Sequence, residues 1–211
     1  SGDNVLEVKL NNVELSSRWY PGGGLYRPVK LILSGESAID TWGVSITTPE
    51  VSESKATVQA QVALREGSAD GLEAQLEVLD AGGKAVASGR GQFSGGRLSH
   101  TLTLDRPALW SPESPSLYTL VTRVLGGGKV IDENRTRFGV RCIAFSRENG
   151  FQLNGKTRKF KGVCLHHDLG PLGAAVNEAA ISRQIRIMKD MGCDAIRTSH
   201  NMPSTMMMDL C

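Results

Sequence analysis

Two clusters of polar residues near the C-terminal end of the sequence are of the types that bind ligands and take part in catalysis. They are His166-His167-Asp168 and Arg197-Thr198-Ser199-His200-Asn201. The first cluster directly follows a short apolar run at 160–165, and the second begins at the last residue of another, at 193–197. Both runs predict buried strands. Side chains at the carboxyl ends of parallel strands commonly form binding and catalytic sites, because the loops there converge on one mouth.

The elements between the clusters predict how the clusters are positioned. Asn177 begins a helix, and Gly192 follows it as a C-terminal cap. The buried face of this helix is predicted to consist of Ile181, Ile185 and Met188. A further helix follows the second strand, and this alternation of strands and helices is typical of a parallel α/β unit. The two polar clusters are therefore expected at the same end of two parallel strands.

The residue types leave several kinds of chemistry to compare. Side chains alternate along an extended segment, so only one of His166 and His167 is expected to enter a pocket. A metal site built on His166 and His200 lacks a suitably spaced third ligand. Ser199 is not predicted to be a nucleophile, because no Gly-x-Ser-x-Gly turn surrounds it. A substrate-binding site remains the prediction favoured by the pattern.

The middle of the chain has the pattern of an immunoglobulin-like β-sandwich. Segments rich in Val, Leu and Thr are separated by glycine doublets and other turn residues, at the spacing typical of short antiparallel strands. In 56–64 and 72–79, apolar and polar residues alternate, which predicts strands with one covered face. Seven strands are predicted, at 41–48, 56–64, 72–79, 84–88, 97–104, 117–125 and 129–138.

The regions on either side of the sandwich predict two further domains. Residues 4–10 and 25–33 are predicted strands, and two strands cannot bury a core alone, so 1–35 is interpreted as the end of an all-β domain that begins before Ser1. After the sandwich, Asn154-Gly155 predicts a hairpin turn. The predicted fold class is mainly β, with the sandwich at 36–141 and the start of an α/β domain at 142–211.

Composition and charge exclude several classes of function. The 211 residues contain 24 Lys and Arg against 22 Asp and Glu, so the net charge of +2 does not favour nucleic-acid binding. No apolar run approaches the ~20 residues of a membrane-spanning helix. Cys142, Cys164, Cys193 and Cys211 include no C-x-x-C pair, which argues against a structural zinc site.

Four stretches of the sequence resemble the family 2 glycoside hydrolases, the group that contains β-galactosidases, β-glucuronidases and β-mannosidases. The stretches occur in the family's order, at 17–27, at 109–118 together with 137–141, at 154–168 and at 194–200. The resemblance implies the end of a jelly-roll domain, then an immunoglobulin-like domain, then the start of a (β/α)8 TIM barrel. The domains are then expected at 1–35, 36–141 and 142–211.

The resemblance also implies roles for individual residues. His166 and His200 match the family's two active-site histidines, which hydrogen-bond the sugar where the glycosidic bond breaks. Arg197 matches a strand-end arginine near the nucleophile, where a fixed positive charge holds a carboxylate ionised. Asn201 stands where the family has Tyr and is counted with these three as a substrate-binding residue.

Other positions depart from the family pattern. Asp194 replaces the usual Asn, and Cys164-Leu165 replaces an Asn-Arg pair that some β-galactosidases carry. These departures bear more on which sugar is bound than on membership of the family.

The catalytic pair of such an enzyme is not found in this sequence. Retaining glycosidases use two carboxyl groups about 5–5.5 Å apart, as acid/base and nucleophile. In this family both are glutamates on later barrel strands, the first in an Asn-Glu pair, whereas Asn177-Glu178 here lies at a predicted helix start. The chain is therefore interpreted as an inactive fragment, with both glutamates expected beyond Cys211.

The parent protein is predicted to be a retaining exo-β-glycosidase that hydrolyses terminal β-D-galactosides in oligo- or polysaccharides. The alternatives are a β-glucuronidase fragment and a non-enzymatic β-sandwich module that binds carbohydrate or protein. The expected partner is the carbohydrate substrate, without a cofactor, a metal, a nucleic acid or a membrane span, and homo-oligomers are common in the family. Bacterial relatives are often periplasmic or secreted, whereas four unpaired cysteines fit a reducing cytoplasm equally well.

Overall fold

The computed structural model describes residues 2–3, 5–14 and 24–211. It divides into two compact units, one formed by residues 32–159 and the other by residues 1–31 together with 160–211. Most of the motif at 17–27 lies outside the described residues, which include its last four, Gly24 to Arg27.

The first unit contains seven antiparallel strands in two sheets. The strands are β1 (Ile39–Val51), β2 (Lys55–Leu64), β3 (Glu73–Leu79), β4 (Ala85–Gln92), β5 (Arg97–Asp105), β6 (Tyr118–Gly126) and β7 (Lys129–Phe138). One sheet has the order β1-β2-β5, and the other has the order β4-β3-β6-β7. The seven strands predicted from the sequence all form, so the mainly β fold class with an immunoglobulin-like sandwich is confirmed.

The alternation of apolar and polar residues explains why these strands form a sandwich. On β2, Val58 and Ala60 are fully buried while Gln59 between them is not, and on β3 Leu76 is fully buried. Side chains of one face of each sheet thus enter a shared core, because successive residues of a strand point to opposite faces. Burying this apolar surface is the main stabilising contribution to the sandwich.

A tyrosine closes one corner of the sandwich. Tyr118, at the start of β6, is 8% exposed and packs on Phe138 with 5.8 Å between ring centroids. Its hydroxyl accepts a hydrogen bond of 2.8 Å from the backbone N–H of Ala108, ten positions upstream. This is the tyrosine corner of immunoglobulin-like folds.

A small third sheet follows the sandwich in the same unit. It contains β8 (Ile143–Ser146), β9 (Gly150–Leu153) and β10 (Lys156–Thr157), in the order β10-β9-β8. Asn154 (φ 50°) and Gly155 (φ 76°) form the predicted turn, since a two-residue hairpin of this type requires positive φ at both positions. β8 was not predicted, because its four residues are all exposed and show no alternation.

The second unit contains the predicted α/β elements. They are β11 (Gly162–Leu165), a 3-10 helix (Gly170–Leu172), α1 (Glu178–Asp190), β12 (Ala195–Thr198) and α2 (Thr205–Leu210). β11 and β12 pair in parallel. The Asn177 side chain accepts a hydrogen bond of 3.0 Å from the N–H of Ala180 and so caps α1, while Gly192, at φ 91°, follows its end. Ile181 and Met188 are buried on α1, as the pattern predicted, whereas Ile185, predicted on the same face, is half-buried.

The strands predicted at 4–10 and 25–33 do not form. No described residue of either segment belongs to a strand, and their apolar side chains are exposed, with Val5 at 89% and Leu33 at 86%. The prediction was wrong because a strand needs hydrogen bonds to a neighbouring strand, and neither segment pairs with one in the part of the chain that the structure describes. The assignment of 1–35 to a jelly-roll domain stays a prediction.

Candidate substrate-binding site

The parallel pair β11 and β12 positions the candidate site. In its register Cys164 lies opposite Arg197 and Leu165 opposite Thr198, so both strands end at the same level. Gly162 permits this close approach, since a Cβ atom there would collide with the carbonyl oxygen of Ala195. The two polar clusters consequently lie side by side, as parallel strands require.

The two histidines at the end of β11 have different neighbours. The His166 ring lies 5.6 Å from the His200 ring, centroid to centroid, with the ring planes at 89°. The His167 ring instead lies 6.2 Å from the ring of Tyr26. Of the two, His166 is therefore the one beside the Arg197 and His200 cluster.

Arg197 is the centre of a group of hydrogen bonds. Its Nη1 donates to the Ser199 Oγ at 2.9 Å, and its Nη2 contacts the His200 Nδ1 at 3.0 Å. A guanidinium can only donate, so the His200 Nδ1 is the acceptor and the neutral ring carries its proton on Nε2. The arrangement thus leaves the Nε2–H of His200 as a donor that can bind an oxygen of a ligand.

Cys164 also faces this guanidinium. Its Sγ lies 3.7 Å from the Arg197 Nη1, and hydrogen bonds from Arg197 and Ser199 lower the pKa of the thiol. A neighbouring positive charge and hydrogen-bond donors favour the thiolate over the thiol. Cys164, one of the departures from the family pattern, therefore belongs to the site itself.

Asp194, another departure, has a structural contact at the opposite end of the strands. Its Oδ1 accepts a hydrogen bond of 2.8 Å from the N–H of Lys161, just before β11. The N–H of Asp194 donates back to the carbonyl oxygen of Lys161 at 2.7 Å. A carboxylate accepts this bond as well as an amide oxygen does, so the replacement leaves the His200 end of the strands untouched.

Sequence reasoning missed the contribution of Tyr26 and Arg27. The Arg27 Nη2 donates a hydrogen bond of 2.7 Å to the carbonyl oxygen of Met202, in the loop that follows His200. The carbonyl oxygen of Tyr26 accepts one of 2.8 Å from the N–H of Val176. The available signal was their place in the motif at 17–27, because nothing in the local pattern links Tyr26 to Val176 or Arg27 to Met202, 150 and 175 positions away.

Two other polar residues of the clusters, Asn201 and Asp168, have different surroundings. Asn201, predicted to bind substrate, lies exposed in the loop after His200. The Asp168 Oδ1 accepts a hydrogen bond of 2.8 Å from the N–H of Gly170 and so supports the turn into the 3-10 helix. Among the described ranges, no group of three His, Cys, Asp or Glu side chains could hold a metal ion.

A cleft lies on the helix side of the two strands. Leu165 and Thr198, which pair in the register, both line it, together with residues of α1 and α2 and with Tyr26. Cys164 and Arg197 belong to the alternate register positions, and their side chains meet on the other face of the strand pair. Of the residues around Arg197, His166 also lines this cleft, whereas Cys164, Arg197 and His200 do not.

Comparison with known proteins identifies the family. The sequence profile of Glycosyl hydrolases family 2 matches residues 39–141, and that of the family's TIM barrel domain matches residues 145–211. The chain therefore belongs to family 2 of the glycosyl hydrolases. Its sandwich is a domain of that family, and β11 to α2 are the beginning of its TIM barrel.

The names of the similar proteins include two different enzyme activities. The chain is 40% identical to a β-galactosidase of Bacteroides ovatus, over 99% of the chain and 25% of that protein. It is 39% identical to a protein of Formosa agariphila named putative β-glucuronidase, over 100% of the chain and 20% of that protein. A crystal structure of a family 2 member from Bacteroides cellulosilyticus matches with a TM-score of 0.88 and 39% identity, over 95% of this chain and 28% of that one.

The chain spans between 20% and 28% of the length of these relatives. Within the described residues, no helix combines the length and the apolar character needed to cross a membrane.

Proposed function

We propose that the chain is part of a retaining exo-β-glycosidase that hydrolyses terminal β-D-galactosides. The observation that carries the proposal is the convergence of His166, Arg197 and His200 at the carboxyl ends of two parallel strands of a family 2 barrel domain. The 40% identity to a β-galactosidase supports the choice of galactose.

His166 and His200 bind the hydroxyl groups of the sugar at the cleaved bond. Because Arg197 fixes the tautomer of His200, the Nε2–H of that ring donates to a sugar oxygen. Hydrogen bonds to the sugar hydroxyls that strengthen in the transition state contribute several kcal/mol to such reactions. The residues of this chain thus stabilise the distorted sugar without forming a covalent bond to it.

Arg197 supplies a fixed positive charge beside the reaction. In a retaining mechanism one carboxylate attacks the anomeric carbon while a carboxylic acid protonates the leaving oxygen, and water then hydrolyses the glycosyl-enzyme. A guanidinium close to the nucleophile keeps it ionised. Both carboxyl groups are expected from sequence beyond Cys211, so the 211 residues alone are expected to be inactive.

β-Glucuronidase is the second candidate function. It is favoured by the 39% identity to the Formosa agariphila protein named putative β-glucuronidase, which nearly equals the 40% identity to the β-galactosidase. Galactosides and glucuronides have the same configuration at C2 and C3. They differ at C4, where the galactose hydroxyl is axial, and at C5, which carries CH2OH in one sugar and a carboxylate in the other. The specificity between the two therefore depends on contacts to the groups at C4 and C5.

The experiment compares substrates on the full-length enzyme that contains this sequence. We expect hydrolysis of an aryl β-galactoside with retention at the anomeric carbon, and a much lower kcat/KM for the aryl β-glucuronide. The reverse preference would favour a β-glucuronidase. Hydrolysis of neither substrate would contradict both proposed functions.

The 211-residue chain supplies the companion experiment. We expect no hydrolysis of either substrate by the chain alone, and a rate beyond contamination would contradict the assignment of both catalytic carboxylates to later sequence. Tight glycan binding by the chain in calorimetry would favour the non-enzymatic binding module instead.

A further inference from the structure

Cys164 is the residue at which this site departs from the family pattern while remaining in contact with Arg197. We propose that Cys164 is a positioning residue, whose sulfur holds the Arg197 guanidinium in the orientation that in turn fixes His200. This inference rests on the proposed function, because the effect of the orientation is measured on glycoside hydrolysis. It adds to that function a residue of β11 that orients Arg197 of β12 and, through Arg197, the His200 ring that follows this strand.

The geometry links the two strands through one guanidinium. The Arg197 Nη1 lies 2.9 Å from the Ser199 Oγ and 3.7 Å from the Cys164 Sγ, and Nη2 lies 3.0 Å from the His200 Nδ1. Ser199 and His200 belong to the same segment as Arg197, whereas Cys164 belongs to the neighbouring strand. The contact from Cys164 is therefore the one that ties the guanidinium to β11.

The shape of the guanidinium transmits this contact to His200. The group is a rigid planar fork, so an acceptor that fixes Nη1 also fixes the direction of the Nη2–H bonds. Ser199, which is 3% exposed, is held in turn by a hydrogen bond of 2.8 Å from its N–H to the carbonyl oxygen of Leu165. Loss of the sulfur acceptor removes the contact from β11 and leaves Nη1 held by Ser199 alone.

The chemistry of the thiol suits it to this position. Sulfur is a weak acceptor when neutral, and it becomes a full negative charge when the thiol ionises. The donors at Arg197 and Ser199 lower the pKa of Cys164 and so strengthen the pairing. A side chain of similar size without an acceptor would fill the same space and leave the guanidinium unheld on this side.

The test compares two replacements of Cys164 in the full-length enzyme. Cys164→Val is slightly larger and removes the acceptor, whereas Cys164→Ser is slightly smaller and keeps an acceptor. We expect Cys164→Val to lower kcat/KM by about 10-fold, mainly through kcat, because hydrogen bonds to charged groups are worth about that factor. Cys164→Ser is expected to stay within about 3-fold of the wild type.

The matched control is Cys142, an exposed cysteine of the other unit. Cys142→Val and Cys142→Ser are expected to leave kcat/KM unchanged. If Cys164 only filled space, Cys164→Val would be the more active variant and Cys164→Ser the less active one. That order, or equal activity of the two variants, would overturn the positioning role.

A second measurement is independent of glycoside hydrolysis. In the same full-length protein, alkylation of Cys164 and Cys142 by iodoacetamide is followed by mass spectrometry, in the wild type and in Arg197→Gln. Because the guanidinium stabilises the thiolate, we expect Arg197→Gln to slow alkylation of Cys164 about 3-fold or more and to leave Cys142 unchanged.

An unchanged rate at Cys164 would show that the contact is absent and would overturn the inference even if the enzyme were active. Conversely, failure to hydrolyse either glycoside would overturn the proposed function while the alkylation result still decided whether Cys164 and Arg197 are paired.

Discussion

The sandwich and the beginning of the barrel distribute their residues in opposite ways. Val58, Leu76 and Leu120 of the sandwich are fully buried, and two complete sheet faces cover them. On the two barrel strands, Cys164 and Arg197 are exposed and are held by hydrogen bonds rather than by burial. Buried apolar surface is thus concentrated in the sandwich, while the groups proposed to bind a substrate lie at the strand ends of the barrel.

The largest effect expected from this contrast is on stability. Leu76→Ala removes apolar volume from the centre of the sandwich and is expected to lower the free energy of unfolding by about 2–5 kcal/mol. The matched change Leu172→Ala, at a side chain 46% exposed in the barrel portion, is expected to cost no more than about 0.5 kcal/mol. Urea unfolding followed by circular dichroism measures both, and equal losses would contradict the contrast.

The next effect is on catalysis. In the full-length enzyme, His200→Ala is expected to lower kcat/KM by more than about 100-fold, because a sugar hydrogen bond that strengthens in the transition state is lost. The unfolding temperature of the variant is measured alongside, and a loss of activity at an unchanged unfolding temperature assigns the effect to the site. A nearly wild-type kcat/KM would remove His200 from the site.

A smaller effect tests the corner of the sandwich. Tyr118→Phe keeps the packing on Phe138 and removes the hydroxyl that accepts from the Ala108 N–H, so a partly buried donor loses its partner. We expect a loss of about 1–2 kcal/mol in the free energy of unfolding and no change in kcat/KM of the full-length enzyme. A change in activity without a change in stability would contradict the division of roles.

The smallest effect concerns the pH dependence of stability. Arg158 Nη2 lies 2.6 Å from the Glu113 Oε1, and its hydrogen bond lowers the pKa of this exposed carboxyl from the ordinary 4.5 to about 2. A lowered folded-state pKa means that the stabilisation is fully present above pH 4.5 and is lost as the pH falls towards about 2. Glu113→Gln is therefore expected to flatten the decline of unfolding free energy over this acid range.

Chemical denaturation at several pH values measures this slope. Glu133→Gln, at a carboxyl that pairs with Arg123 elsewhere on the sandwich, serves as the comparison, since the pKa of Glu133 is also lowered by its partner. An identical acid slope in the wild type and in Glu113→Gln would show that the Arg158 contact does not form in solution.

Local patterns in the sequence were sufficient to predict most of the elements. The alternation in 56–64 reports directly which face of a strand is covered, and Asn177 and Gly192 mark the ends of α1 through hydrogen bonds and backbone angles of adjacent residues. The same reasoning failed at 4–10 and 25–33, because strand formation there depends on partner strands that the local pattern does not report. It also missed β8, whose four exposed residues carry no alternation.

The candidate site, too, could be predicted only in part from the sequence. The types and strand-end positions of His166, Arg197 and His200 were determined by the sequence alone, because alternation and the convergence of parallel strands are properties of the local chain. Only the tertiary structure decided that Cys164 lies opposite Arg197 and that Arg27 holds the loop after His200. Those contacts join residues 33 and 175 positions apart, and their formation depends on the register and packing of whole elements.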